Sequence, residues 1–184
     1  MTSLRTPSEF TIRRGSESDL DRVAGIKVDN WADSYAGLIA PAVLQPFLDP
    51  LHQLDELRES TASGEAVFLV AEHAGEVVGF ALAYLAQGSE PWLESLHVAR
   101  EFRGRGAGTL LMRELAAELA RGGYRSLRLG VVRGNAGAGR LYERLGATLV
   151  AVEPAPWAPG VEHEIYRWAD LAGLIAAPYN AARD

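Results

Sequence analysis

The chain has 184 residues, of which 48% are hydrophobic and 23% charged, with a formal net charge of −6, as expected for one globular domain. The negative charge disfavours binding to nucleic acid, whose affinity depends on neutralising phosphates, and no apolar run approaches the ~20 residues of a membrane span. Residues 1–10 lack the pattern of a secretory signal, so we expect a single cytoplasmic domain over 1–184, with its core at about 10–168 and a partly disordered tail at 169–184.

Hydrophobic periodicity before residue 90 predicts strands, two helices and a hairpin. Apolar residues recur at helical spacing from Leu20 to Tyr35, and Gly37 is a stop signal. Three prolines then break the chain before a second helix, and two apolar runs flank a short turn that is typical of a hairpin. The expected strands are 10–13, 67–71 and 77–84, and the expected helices are 20–35 and 51–60.

The second half of the chain alternates strands and helices. A strand over 91–98 leads into a glycine-rich loop and a helix that ends at Gly122 and Gly123. Asn135 is well suited to cap the following helix, because its side chain can accept a hydrogen bond from a first-turn amide. The remaining expected strands are 127–132, 147–152 and 164–168.

The glycine-rich loop predicts a phosphate-binding site. Glycines let backbone N–H groups approach an anion closely, and the first turn of the next helix offers unpaired donors and the positive end of its dipole. Two arginines add permanent cations, although the spacing matches neither the P-loop nor the dinucleotide pattern. The alternative is an ordinary strand-to-helix turn with solvent-facing arginines. The loop residues are Arg103, Gly104, Arg105, Gly106, Ala107, Gly108 and Thr109.

This loop and the strand before it, Leu93-Glu94-Ser95-Leu96-His97-Val98, resemble the Arg-x-x-Gly-x-Gly acyl-CoA pyrophosphate loop and the central strand of the GNAT superfamily of N-acetyltransferases. A second segment, 135–147, is similar to the family's later motif, Asn-x-x-Ala-x-x-x-Tyr-x-x-x-Gly, although Ala147 stands where the family usually has Phe. Two motifs in the family's order are far more specific than either one alone.

The resemblance implies an α/β fold with a mixed, mostly antiparallel sheet of about seven strands, helices on both faces and one parallel pair of strands splayed open. It implies acetyl-CoA as the co-substrate, with its pantetheine arm paired to the central strand and its diphosphate on the glycine loop. The implied cofactor contacts are Leu96, His97, Val98, residues 103–109, Asn135 and Tyr142.

The aromatic end of the first helix contains Trp31 and Tyr35. In similar GNAT sequences a Trp-x-x-x-Tyr-x-Gly run lies where the acceptor cleft forms, so the resemblance implies a substrate-binding role. Ordinary core packing is the alternative for both side chains. The four histidines show no paired ligand spacing, so we expect no metal site.

Acyl transfer to an amine needs an acid for the departing thiolate and a base for the arriving ammonium. The chain has no cysteine, which excludes an acyl-cysteine intermediate and makes the transfer direct. We expect Tyr142 to be the acid, with a buried core tyrosine as the alternative. Glu94 is the candidate base; pairing with an arginine or binding the substrate cation are alternatives, and His97 is a weaker substitute. Strand alternation puts Glu94, Leu96 and Val98 on one face unless a bulge shifts the phase.

The sequence therefore predicts an acetyl-CoA-dependent N-acetyltransferase that acts on a primary amine in a ternary complex. The alternative is a catalytically silent acyl-CoA-binding sensor or regulator on the same fold, and a domain that binds phosphorylated metabolites is a more distant one. Polyamines, aminoglycoside-like antibiotics, amino acids and protein N-termini all remain as acceptors, whether small-molecule or peptide. A homodimer is compatible with the sequence.

Overall fold

Seven strands form one sheet, which a computed structural model describes within residues 9–85 and 90–179. The strands are β1 (Thr11–Arg14), β2 (Ala66–His73), β3 (Glu76–Tyr84), β4 (Trp92–Val98), β5 (Leu127–Val132), β6 (Thr148–Pro154) and β7 (Glu162–Trp168). Their order across the sheet is β1-β2-β3-β4-β5-β7-β6. All neighbouring pairs are antiparallel except β4 and β5, which are parallel.

Helices cover both faces of this sheet. The helices are α1 (Leu20–Tyr35), α2 (Pro41–Leu44), α3 (Pro50–Ala62), α4 (Ala107–Arg121), α5 (Ala136–Arg144) and α6 (Leu171–Ile175). One core joins α1 and α3 to residues such as Phe68 and Phe80 of the sheet. The other core lies around Leu111, Leu115 and Leu119 of α4, which are fully buried. The apolar stripe of α4 thus faces the sheet, as helical spacing predicts.

Local sequence signals explain where several elements turn. Ala74 and Gly75 connect β2 to β3 with φ angles of 51° and 84°, a left-handed pair that suits the right-handed twist of a hairpin. Asn135 caps α5, and its side chain accepts from the amide of Ala138. These turns confirm the hairpin and the cap that the sequence predicts.

The parallel pair at the centre of the sheet is short. β4 and β5 are in register only at Trp92 with Arg128 and at Leu93 with Leu129. A bulge follows at once: Leu93 and Ser95 face consecutive residues of β3, which leaves Glu94 as the extra residue. A bulge bends its strand and increases the local twist, so β4 turns away from β5 and a gap opens between them.

The fold class expected from the family resemblance is confirmed, because the sheet, its single parallel pair and the helices on both faces are all present. The described part of the tail, however, is ordered: Leu171 and Leu174 are buried in the α4 core. Tyr179 extends this segment onto the glycine loop, where its hydroxyl donates to the carbonyl oxygen of Arg105 at 3.3 Å. In the described ranges no helix is long and apolar enough to cross a membrane.

A partly buried ion pair fixes the start of α1 against the edge of the sheet. The two terminal nitrogens of the Arg13 guanidinium donate to the Asp19 carboxylate at 2.8 Å, and the amide and hydroxyl of Ser16 donate to the same group. Arg13 also pairs with Glu72 of β2 at 2.7 Å. These hydrogen bonds hold the pKa of Asp19 well below its usual value.

We therefore predict that Asp19→Asn lowers stability by about 1–2 kcal/mol at neutral pH and flattens its acid dependence. A carboxyl whose folded pKa is depressed contributes stability above its unfolded pKa, near 4, and loses it as the pH falls. Urea unfolding of the two proteins between pH 7 and pH 3 measures this. Parallel stability curves for the two proteins would contradict it.

Candidate active site

A cavity of about 630 Å³ occupies the gap between β4 and β5. The glycine loop and the first turn of α4 line it, as do the carboxyl-terminal half of α1 and the 153–157 segment. One face of α5, formed by Gly137, Ala138, Leu141 and Arg144, lies along its side. The cavity therefore joins both sequence motifs in a single site.

The glycine loop presents backbone amides to this cavity. Gly104 and Gly106 have φ angles of 75° and 92°, which side chains rarely adopt. Gly106 is the N-cap of the 15-residue helix α4, and no side chain caps this end. The first-turn amides have no acceptor within the helix, so donors and the positive end of the helix dipole face the cavity.

Gly108 is a close-approach position within that first turn. A Cβ built there would lie 3.9 Å from Cγ2 of Val98 and 4.0 Å from Cδ2 of Leu141, which are ordinary contacts. The protein itself therefore tolerates a side chain at Gly108. The glycine instead leaves the helix N-terminus open to a ligand in the cavity, which Gly108 lines.

Successive residues of β4 direct their main-chain N–H and C=O groups alternately towards β3 and towards the gap. The Ala99 amide donates to the Val78 carbonyl of β3, and the His97 carbonyl oxygen lies 2.8 Å from a Cβ built on Gly79 of β3. Residues 97 and 99 therefore hydrogen-bond towards β3, and alternation turns the main-chain groups of Leu96 and Val98 towards the gap. The main chain of His97 thus pairs with β3, while His97 is also among the residues that line the cavity; its expected contact with the cofactor stays a prediction.

Arg103 folds back onto β4 and α1. Its Nε donates to the Val98 carbonyl oxygen at 3.1 Å, and the Asn30 side chain donates to the same oxygen at 3.1 Å. The guanidinium also contacts the Asn30 side-chain oxygen and Asp33 at 3.3 Å. The Val98 carbonyl oxygen therefore already accepts two hydrogen bonds, whereas the N–H group of Val98 faces the gap.

Two of the expected loop contacts do not line the cavity. Arg105 points outward, where its guanidinium pairs with Glu9 at 2.5 Å and lies 5.0 Å from the centre of the Phe102 ring. Thr109 is buried within α4. An acid and an aromatic face thus hold the Arg105 side chain away from the cavity in this structure, and its expected contact with a phosphate stays a prediction.

The bulge places Glu94 on the α1 face of the sheet. Glu94 and His97 both lie close enough to Lys27 of α1 for its charge to act on them, whereas Leu96 and Val98 pack against the α4 core. The regular alternation that would group Glu94 with Leu96 and Val98 is therefore wrong, and the bulge is the reason.

Glu94 is exposed to the cavity but surrounded by protein on its other sides. This burial raises the pKa of the Glu94 carboxyl, and the charge of Lys27 partly opposes the rise. Lys27 is itself buried, with its Nζ 3.5 Å from the Glu56 carboxylate. Glu94 can therefore exchange a proton with a ligand at a pH closer to neutral than an ordinary glutamate.

His97 is neutral at physiological pH. Burial, together with the positive charges of Lys27 and Arg103, lowers the pKa of His97 to about 3. Its Nδ1 lies 3.3 Å from the Asn30 side-chain nitrogen. A group with this pKa is a weak proton acceptor at neutral pH, which makes it a poor substitute for Glu94.

Tyr142 lies at the meeting point of the two motifs. Burial raises the pKa of Tyr142, and the neighbouring Tyr35 adds to the rise. Tyr35 is hydrogen-bonded to Asn135 and lies within electrostatic range of Glu94. The structure thus brings Tyr142, Tyr35, Asn135 and Glu94 to one region of the cavity wall.

Sequence reasoning missed several residues of this wall, including Lys27, Trp157, His163 and Arg144. A signal existed for Lys27, which stands at a core-facing position of the α1 stripe, four residues after Val23. Arg144 lies three residues after Leu141 and seven after Gly137, which places it on the same face of α5. The role of His163 depends on which strands pair, which the sequence does not show. The described ranges contain no His, Asp or Glu cluster suited to a metal ion.

Comparison with known proteins matches this geometry. The model of the acetyltransferase (GNAT) family matches residues 30–147, more than half of the chain. An uncharacterized N-acetyltransferase of Mycobacterium tuberculosis is 26% identical over 129 residues, covering 70% of this chain and 83% of the relative.

Solved structures show the same fold. The PaiA N-acetyltransferase of Thermoplasma acidophilum, in complex with coenzyme A, has a TM-score of 0.71 at 20% identity, covering 86% of this chain and 97% of that one. YncA of Salmonella typhimurium, solved with acetyl-CoA, has a TM-score of 0.68 at 21% identity, covering 95% and 98%. The family match and the fold together show that the chain belongs to the GNAT family of acetyltransferases.

Proposed function

We propose that this protein transfers an acetyl group from acetyl-CoA directly to a primary amine, with both bound at once. The observation that carries the proposal is the shared cavity, in which the free edge of β4, the uncapped α4 N-terminus and Tyr142 lie together. The family match supports acetyl transfer in general. The amine acceptor, a small molecule or a peptide, and the roles of individual residues are the proposed part.

The residues present fit acetyl-CoA. The amides at the start of α4 and in the glycine loop would hold the diphosphate, since helix N-termini bind phosphate groups. The main-chain groups of Leu96 and the N–H group of Val98, which face the gap, would hold the pantetheine arm as an added strand. Arg144 lines the cavity, and its permanent positive charge would attract the diphosphate. Acetyl-CoA, when bound, supplies an acyl group activated as a thioester.

Gly108→Ala tests the placement of the diphosphate. The methyl group meets only ordinary protein contacts, and alanine in a helix is about 1 kcal/mol more favourable than glycine, so stability should hold or rise. The same methyl lies where a phosphate would approach, so acetyl-CoA affinity should fall roughly 10-fold or more. Thermal unfolding with and without acetyl-CoA measures both the stability and the affinity. A ligand at about 100 times its Kd adds about 2.7 kcal/mol to the free energy of unfolding.

Gly25→Ala is the matched control, because Gly25 is also helical, has open space around its Cβ and does not line the cavity. It should stabilise α1 and leave the acetyl-CoA affinity unchanged. Full ligand-induced stabilisation of Gly108→Ala would place the diphosphate elsewhere.

Tyr142 would donate the proton that the departing thiolate requires. Its raised pKa keeps the hydroxyl protonated at neutral pH. The same burial would also raise the pKa of a thiol formed beside it. The difference between the pKa values of the tyrosine and the thiol, which determines how easily the proton is transferred, is therefore not increased by burial alone. No other described tyrosine except Tyr35 lines the cavity.

Tyr142→Phe should lower kcat roughly 10²-fold or more, the scale of general acid catalysis, with acetyl-CoA affinity close to that of the parent. Tyr166→Phe is the control, because this neighbouring hydroxyl contacts Glu143 outside the cavity. Thiol release gives kcat and calorimetry gives the affinity. Binding of acetyl-CoA without turnover of any amine by the parent would instead indicate a silent acyl-CoA-binding protein.

Glu94 would accept the ammonium proton of the acceptor. Since the pKa of Glu94 is raised, kcat of the parent should increase with pH as this carboxyl ionises. Glu94→Gln should remove that limb of the profile and lower kcat, whereas Glu153→Gln, which changes another cavity carboxylate, should retain it. A higher KM with unchanged kcat would show that Glu94 binds the substrate cation rather than acting as the base.

A further inference from the structure

A cluster of aromatic rings forms part of the cavity wall. Trp31 stacks on Phe47 with ring centres 4.4 Å apart and an angle of 19°. Trp157 meets Trp31 edge-to-face at 5.4 Å and Phe47 at 5.1 Å. Tyr35 adds a further edge-to-face contact with Trp31 at 4.9 Å. The rings hold one another in place from three elements of the chain.

Three of these rings present surface to the cavity. Trp31, Tyr35 and Trp157 line it and are only half-buried, whereas Phe47 does not line it. Phe47 covers one face of Trp31, so the cavity reaches ring surface that Phe47 leaves free. The rings thus offer an apolar aromatic surface as well as packing against the core.

A hydrogen bond to His163 fixes the orientation of Trp157. The indole Nε1 donates to Nε2 of His163 at 3.2 Å. The His163 ring in turn lies over Gly130 of β5, where a Cβ would come within 2.6 Å of Nδ1. Burial lowers the pKa of His163, so the group behind Trp157 is neutral. The indole therefore has a fixed orientation and no cation beside it.

The carboxylates of the cavity suit a positive charge near the rings. Among the described lining residues, Glu94 and Glu153 carry carboxylates. Lys27 pairs with Glu56 at 3.5 Å, so Lys27 does not neutralise both of these carboxylates. The cavity therefore attracts a cation.

From this arrangement we infer that the acceptor is a cationic primary amine carried on an aromatic or similarly planar body. The ring would lie against Trp31 and Trp157, with the amine directed towards Glu94. This inference rests on the proposed function for the identity of the site, and it disfavours polyamines and aminoglycoside-like polycations, which carry no aromatic ring, as preferred acceptors. Trp31 and Trp157 then determine specificity and take no part in proton transfer.

The test compares the binding of three amines to the protein saturated with coenzyme A, measured by calorimetry. 2-Phenylethylamine should bind at least about 10-fold more tightly than n-propylamine, which lacks the ring, because the aromatic surface is buried against tryptophan. Its affinity should exceed that of 1,4-diaminobutane, which also lacks the ring, by a similar factor. Equal affinities for the ring-bearing and ring-free amines, or a preference for the diamine, would overturn the inference without any variant.

Variants test which side chain is responsible for the preference for 2-phenylethylamine. Trp157→Leu should reduce the preference for 2-phenylethylamine over n-propylamine to about 3-fold or less, since the ring loses its flat partner. Phe47→Leu is the control: it disturbs the same cluster from outside the cavity and should keep the parent preference. Loss of preference in both variants would assign the effect to general disorder and overturn the role of Trp157.

Thiol release with the same amines separates this inference from the function beneath it. If all the amines turn over with equal kcat/KM, the result supports acetyl transfer and overturns the aromatic preference. Ring-dependent binding without turnover supports the shape of the site and counts against acetyl transfer.

Discussion

The divergence of β4 from β5 is the constraint on which the site depends. A parallel pair normally continues its ladder, and a buried edge without partners is costly. Here the ladder stops after Leu93 and Leu129, and the bulge at Glu94 bends β4 away. The gap exposes the main-chain groups of Leu96 and the N–H group of Val98, which a ligand that behaves as a strand can satisfy. The bulge also turns Glu94 to the α1 face, so one irregularity opens the gap and supplies its acidic group.

Charged groups of both signs line the cavity. Arg103 and Arg144 line it together with the first turn of α4, where an anion is favoured. The cavity is also lined by His97 and His163, whose pKa values are lowered, and by the carboxylates of Glu94 and Glu153. Asp33 and Asn30 hold Arg103, so α1 contacts the glycine loop. A change in α1 would therefore affect both this loop and the aromatic residues that α1 carries.

Much of the fold could be predicted from the sequence, because glycines, prolines and apolar periodicity act locally. Leu111, Leu115 and Leu119 mark the buried stripe of α4, and Asn135 marks the start of α5. The bulge at Glu94 could not be predicted, since it depends on how β4 pairs with β3 and leaves no local signal. The outward turn of Arg105 depends on Glu9, which is 96 residues away in the chain, and the sequence alone does not bring them together.

The central claim is that the pantetheine arm of coenzyme A binds the free edge of β4 while the α4 N-terminus holds its diphosphate. Amide hydrogen exchange measured by NMR, with and without coenzyme A, tests it most directly. The account predicts that coenzyme A slows exchange at the Leu96, Val98 and Gly108 amides and leaves His97, which already faces β3, nearly unchanged. Tight binding of coenzyme A with no added protection at Leu96 and Val98 would contradict it.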